Sequence, residues 1–163
     1  MAEATFPLNY QNKYYLNTDP SKTGGSEVWS PLAAGIQNVS WAGNEVIDQT
    51  QYYDGGGLAS TEVTGGQWVA SVSGHRVVGD AAQDFVFGKM LTYGKERKTQ
   101  LKWERPDSKT VTAEVTIANI ADAAGDANAK DSISFEIHCN GAPKITNTAS
   151  MAALEGGDPI AVG

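Results

Sequence analysis

Two stretches in the C-terminal half alternate apolar and polar residues without a break. In the first, Val111, Ala113, Val115 and Ile117 alternate with Thr112, Glu114 and Thr116; in the second, Ile133, Phe135, Ile137 and Cys139 alternate with Ser132, Ser134, Glu136 and His138. Successive side chains on a strand point to opposite faces, so each stretch reads as a half-buried strand with one face for a core and one face of hydroxyls and carboxylates. The polar face carries no reactive constellation. A chain organised around such strands makes a surface rather than breaking a bond.

The rest of the chain fits a β-rich reading. Gln67 to Val78 reads as another strand. Ile36 to Thr50 reads as a long irregular one with a turn or bulge at Gly43-Asn44. Thr99 to Arg105 begins a strand series that turns at Pro106-Asp107-Ser108-Lys109 and continues over 110–120, and 121–130 reads as a loop of small residues. One helix is expected. Asp80 caps it, with Gln83 at capping-box spacing; Ala82, Phe85, Val86 and Met90 form its apolar stripe, Lys89 lies in its last turn and Gly94 ends it. The fold class is mainly β, a β-sandwich or barrel flanked by one α-helix. At 163 residues the chain suits one domain.

Three segments are weakly patterned. Residues 1–35, with a short strand possible at Tyr14-Tyr15-Leu16 and the loop chemistry of Asp19-Pro20 and Gly24-Gly25, read as an N-terminal arm that docks elsewhere or stays mobile. Residues 49–66 hold Tyr52-Tyr53-Asp54-Gly55-Gly56-Gly57 and close on Gly65-Gly66; they read as a mobile loop, disordered in the isolated chain. Residues 146–163 read as a C-terminal arm.

Charge narrows the function. With 12 Lys+Arg against 19 Asp+Glu the formal charge is −7, the wrong sign for a sequence-independent grip on nucleic-acid phosphates. The cations are concentrated: Lys95, Arg97, Lys98, Lys102, Arg105 and Lys109 fall in fifteen residues with only three anions, leaving −10 for the remainder. Lys95, Arg97, Lys98 and Lys102 are therefore candidates for a basic contact with an acidic surface of another copy. No catalytic, cofactor or metal site is expected. His138 and Cys139 are adjacent on a strand and so face opposite ways, against the convergent ligands a zinc site needs, and no nucleophile-elbow pattern surrounds any serine. A single cysteine excludes an intrachain disulfide, and the N-terminus lacks a signal-peptide pattern, so a soluble protein of a reducing cytoplasm is expected. Trp41, Trp68 and Trp103 read as packing residues, whereas Trp29, Tyr52 and Tyr53 read as anchors that become buried on a partner.

The order of segments resembles a known family. Trp29 to Val39, then Tyr52-Tyr53-Asp54-Gly55-Gly56-Gly57, a strand ending Ser73-Gly74-His75-Arg76, a helix with Ala82-Gln83-Asp84-Phe85-Val86 and a strand ending Phe135-Glu136-Ile137 together resemble the major tail tube proteins of long-tailed phages with non-contractile tails. The resemblance covers roughly residues 29 to 145 and implies a fold shared with contractile-tail and type VI secretion tubes. It also implies hexameric rings stacked into a virion tail tube that conducts DNA into the host, assembled in the host cytoplasm. The implied partners are other copies, tape-measure, tail terminator and distal tail proteins, and DNA in passive transit; no membrane is involved. Under this resemblance Tyr52 to Gly57 form the inter-ring loop. Thr112, Glu114, Thr116, Ser134 and Glu136 are candidates for the lumen face, with the outer wall as the alternative. A carbohydrate- or host-surface-binding β-sandwich is the competing reading.

Overall fold

A computed structural model describes residues 4–147. Ten strands form in chain order: β1 (Lys13–Asn17), β2 (Trp29–Pro31), β3 (Ile36–Ala42), β4 (Val46–Gln51), β5 (Ala59–Gly65), β6 (Val69–His75), β7 (Lys98–Glu104), β8 (Lys109–Ala124), β9 (Ser132–Cys139) and β10 (Lys144–Asn147), with one helix, α1 (Ala81–Gly88), between β6 and β7. Eight strands make one antiparallel sheet in the order β2-β1-β7-β8-β9-β6-β3, with β10 added beside β8, while β4 and β5 pair only with each other.

The large sheet curls onto itself. Strands β7 and β3 are four places apart, roughly 19 Å across a flat sheet, yet Trp103 and Trp41 stack with ring centroids 5.1 Å apart. Inside the curl lie the apolar residues the alternation selects: Val115, Ile117, Phe135, Ile137 and Cys139, joined by Leu16, Leu101, Ala70 and Val72. Burying a side chain such as Leu101 or Phe135 stabilises the fold by about 1.5–3 kcal/mol. Gly74 sits where β6 meets the turn before β3. A Cβ there would strike the Gly35 carbonyl, which also accepts the His75 amide at 2.7 Å.

Several expectations differ from the structure for identifiable reasons. Residues 1–35 are not a free arm over their whole length. β1 is an interior strand between β2 and β7, with Leu16 and Asn17 fully buried. Asn17 ties the polar loop behind it: its Oδ1 accepts the Asp19 and Val28 amides, and its Nδ2 donates to Gln100 Oε1 and the Lys22 carbonyl. Ile36 to Thr50 is not one strand, because Asn44, at φ 44°, turns the chain out of the large sheet between β3 and β4. β8 continues to Ala124 across the segment read as a loop. Left-handed residues Asn119 and Ala123 and register shifts after Ala118 let it bend while staying paired to β9. The helix ends at Gly88 rather than Gly94. Asp80 does cap it, accepting the Gln83 amide at 3.2 Å, but the Gln83 side chain turns inward instead of completing a capping box. Thr146 and Asn147 belong to β10, and the remainder of the expected C-terminal arm lies outside the described residues.

Candidate functional site

The hairpin of β4 and β5 carries the segment read as a mobile loop. Its strands pair as an antiparallel ladder in which Ile47 opposes Val63, Asp48 opposes Glu62 and Gln51 opposes Ala59. The expectation of disorder rested on the glycines: three of them, Gly55–Gly57, make the tip, whereas Gly65 and Gly66 lie at the root. At the tip Tyr53–Gly55 form a single 3-10 turn, and Gly56 and Gly57 adopt φ of 64° and 88°, a region closed to most side chains. Neither strand of this ribbon reaches the large sheet, and every residue of β5 is exposed.

Apolar side chains stand exposed along the ribbon and its charges are all of one sign. Val46, Ile47, Tyr52, Leu58 and Val63 are all more than half exposed, and Tyr53 is fully so. Residues 43–66 contain Glu45, Asp48, Asp54 and Glu62 and no Lys or Arg. Directly opposed like charges such as Asp48 and Glu62 weaken a strand pair, and isolated two-stranded ribbons are marginal in water. Both features fit an element that gains stability when a complementary surface covers it.

The second surface is the outward face of the large sheet. Thr112, Glu114 and Thr116 on β8 and Ser134 and Glu136 on β9 all lie on the side opposite the core. Glu136 accepts hydrogen bonds from His138 Nε2 at 2.9 Å and from Asn119 Nδ2 at 2.7 Å, and these hold its carboxyl below the usual range. Asn119 reaches it because the β8 irregularity re-aims its side chain. This face is not purely acidic. Lys98 and Lys102 on β7 pair across from Thr116 and Thr112, and Lys144 on β10 flanks Thr112 from the other side.

The four residues read as one basic contact have separate roles. Lys95 and Lys98 are exposed. Lys102 lies over the rings of Tyr15, at 4.8 Å, and Trp29, at 5.1 Å. Arg97 serves the fold: its Nε donates to the Thr92 carbonyl at 2.7 Å and its Nη2 to the Met90 carbonyl at 2.8 Å, with Nη1 reaching the Ile117 carbonyl at 3.4 Å. A sequence pattern of charges cannot reveal carbonyls brought in by the turn after α1.

Trp29 is half-buried under Lys102, and Trp68 is half exposed rather than packed away, touching Trp41 edge-on at 6.4 Å. His75 and His138 sit at opposite ends of the β6–β9 ladder. Among the described residues no three His, Cys, Asp or Glu side chains converge on a point that could hold a metal ion, and no helix is long and apolar enough to cross a membrane.

The comparisons with known proteins agree with this architecture. A family model described as phage tail tube protein matches residues 23–145. No curated protein matches the chain in sequence. Among solved structures, the chain is similar to a protein in the tail of an empty gene transfer agent particle, refined with six-fold helical symmetry, at a TM-score of 0.68 and 17% identity over 86% of this chain and 99% of that one. The SPP1 tail tube follows at TM-score 0.60 and 14% identity over 90% of this chain and 84% of that one. A chain of the sheath–tube complex of an extracellular contractile injection system gives 0.52 and 11% identity over 87% and 93%. These similarities place the curled sheet with its flanking helix among tail tube folds, and the family match spans three quarters of the chain. The chain belongs to the phage tail tube protein family and is a structural component of a tube.

Proposed function

We propose that this protein polymerises with itself as stacked hexameric rings, forming the tail tube of a virion through which DNA passes into the host. The observation that carries the reading is the β4–β5 ribbon, which projects from the sheet with exposed apolar residues at its tip and four uncompensated carboxylates. A projecting element that fits a different part of the next copy makes a heterologous contact, and such contacts propagate into open assemblies. Six-fold symmetry in the similar gene transfer agent tail supports the ring size.

On this reading the chain is a single tail-tube domain, Tyr52, Tyr53, Asp54 and Gly55–Gly57 make the inter-ring contact, and Lys95 and Lys98 meet acidic surface on a neighbour. The face bearing Thr112, Glu114, Thr116, Ser134 and Glu136 lines the bore. On it Lys102 and Lys144 stand to either side of Thr112, so no continuous cationic track offers DNA the counterion exchange that would make it stick. The role needs no catalysis and no cofactor. Assembly in the host cytoplasm, with tape-measure, terminator and distal tail proteins as partners, completes the proposal.

The test is light scattering of purified protein against concentration, followed by negative-stain microscopy. Growth into hollow tubes of uniform diameter is expected. A species that stays small at every concentration would overturn the reading.

A further inference from the structure

The indoles of Trp41 and Trp68 flank the root of the β4–β5 ribbon, where the Gln67 amide donates to the Gly43 carbonyl at 2.9 Å. Between them, Trp103, Arg105 and Ile145 line an apolar cleft of about 170 Å³. Trp68 and Ile145 leave half or more of their surface exposed. The Arg105 guanidinium lies 4.9 Å from the centre of the Trp103 ring and pairs with Asp107 at 3.4 Å. An apolar cavity of about 150 Å³ accommodates one benzene-sized ring. The cleft therefore has room for a single aromatic side chain.

Among the described residues one ring stands uncovered. At the far end of the ribbon Tyr53 is fully exposed and is followed by Asp54, the only charge in residues 49–61. Six residues of β4 span about 20 Å, so Tyr53 cannot fold back to the cleft at its own root. Building on the tube reading, we propose that the cleft of Trp41, Trp68, Trp103, Arg105 and Ile145 receives Tyr53 from a second copy of this chain, with Asp54 set against Arg105.

Three features support that occupant. The volume matches one ring. The tip's single charge is negative and the cleft's cation stacks on its aromatic wall, so desolvating the pair is offset by their attraction. Because tip and root lie at opposite ends of the ribbon, joining tip to root is heterologous, and each added copy presents a fresh tip for the next.

The experiment uses full-length chains in a Cys139→Ala background, since Cys139 borders the cleft. Tyr53→Cys and Trp68→Cys chains are mixed, assembled and mildly oxidised. A disulfide-linked dimer that forms in the mixture and in neither chain alone is expected. Separately, Trp68→Ala, at a half-exposed site, should leave the monomer's circular dichroism intact and raise the concentration needed for assembly about tenfold or more, as for a central aromatic anchor. Tubes that form without the mixed dimer, and at an unchanged concentration with Trp68→Ala, overturn the cleft assignment and leave the tube reading standing. A Trp68→Cys link to Met151→Cys within single monomers assigns the cleft to the chain's own residues 148–163 and also overturns it. Unmodified protein that never polymerises overturns both.

Discussion

The side-chain oxygen of Gln83 accepts the backbone amide of Val77 at 2.8 Å. From the same fully buried side chain, Nε2 donates to the Ala34 carbonyl at 2.8 Å and the His75 carbonyl at 3.1 Å. One amide thus joins α1, the end of β6 and the turn leading into β3. Replacing Gln83 with Ala empties a fully buried site and removes the partner of one amide and two carbonyls whose residues are exposed or only half-buried. We expect a loss of about 1–3 kcal/mol in urea unfolding of the monomer, about 1 kcal/mol for each hydrogen bond lost less what water recovers.

Arg97 and Lys98, neighbours in a basic run, should behave differently. Arg97→Ala leaves the Thr92 and Met90 carbonyls without their charged donor and should destabilise the monomer by about 2–3 kcal/mol. Lysine, lacking the planar fork, should restore only part of this. Lys98→Glu should leave unfolding within about 0.5 kcal/mol of the parent, because the side chain is exposed. It should instead slow polymerisation, most at low salt where screening is weak. Equal assembly rates across salt would show that Lys98 faces only solvent.

The tip glycines separate folding from assembly. No atom lies within 4 Å of a Cβ added at Gly55, Gly56 or Gly57, so bulky residues meet no clash, but positive φ at Gly56 and Gly57 strains them by about 1–2 kcal/mol each. The ribbon is a separate sheet, so that strain should stay local. A Val triplet at 55–57 should keep the monomer's circular dichroism and melting temperature within a few degrees while abolishing tubes in negative stain. Normal tubes would remove the tip from the contact.

Asp84 gives the acid limit a specific contributor. Its carboxyl is held below the usual range by the hydrogen bond from Arg76 Nη2 at 2.7 Å, with a weaker one from the Gly79 amide. A depressed folded-state value stabilises the fold above the ordinary aspartate range, about 3.9, and the contribution disappears as pH falls through the lower folded value. Melting temperatures of the parent and Asp84→Asn should therefore differ at pH 6 and draw together as pH falls below the ordinary aspartate range. A gap that persists unchanged in acid would show that the ion pair is not its source.

Much of the architecture was legible in the residues. The alternation in 111–117 and 132–139 determined the pairing faces of β8 and β9, and with them the co-facial set from Thr112 to Glu136, because a strand's period of two leaves no other arrangement once one face is apolar. Asp80 marked the start of α1, since a cap acts on amides three residues away. Local chemistry of this kind is written in consecutive residues.

What only the tertiary structure decided depends on partners distant in sequence. Lys13 to Asn17 has too little pattern to declare itself an interior strand; it becomes one because β7, more than eighty residues away, supplies its ladder and Thr99 and Gln100 hold Asn17. The ribbon of β4 and β5 is ordered by cross-strand pairing that a run of glycines conceals. Arg97 and Gln83 look like surface charge and helix cap until long-range folding delivers the carbonyls and amides they bind. Apolar periodicity records which side of a strand is dry, whereas a polar side chain's partner is chosen by the path of the whole chain.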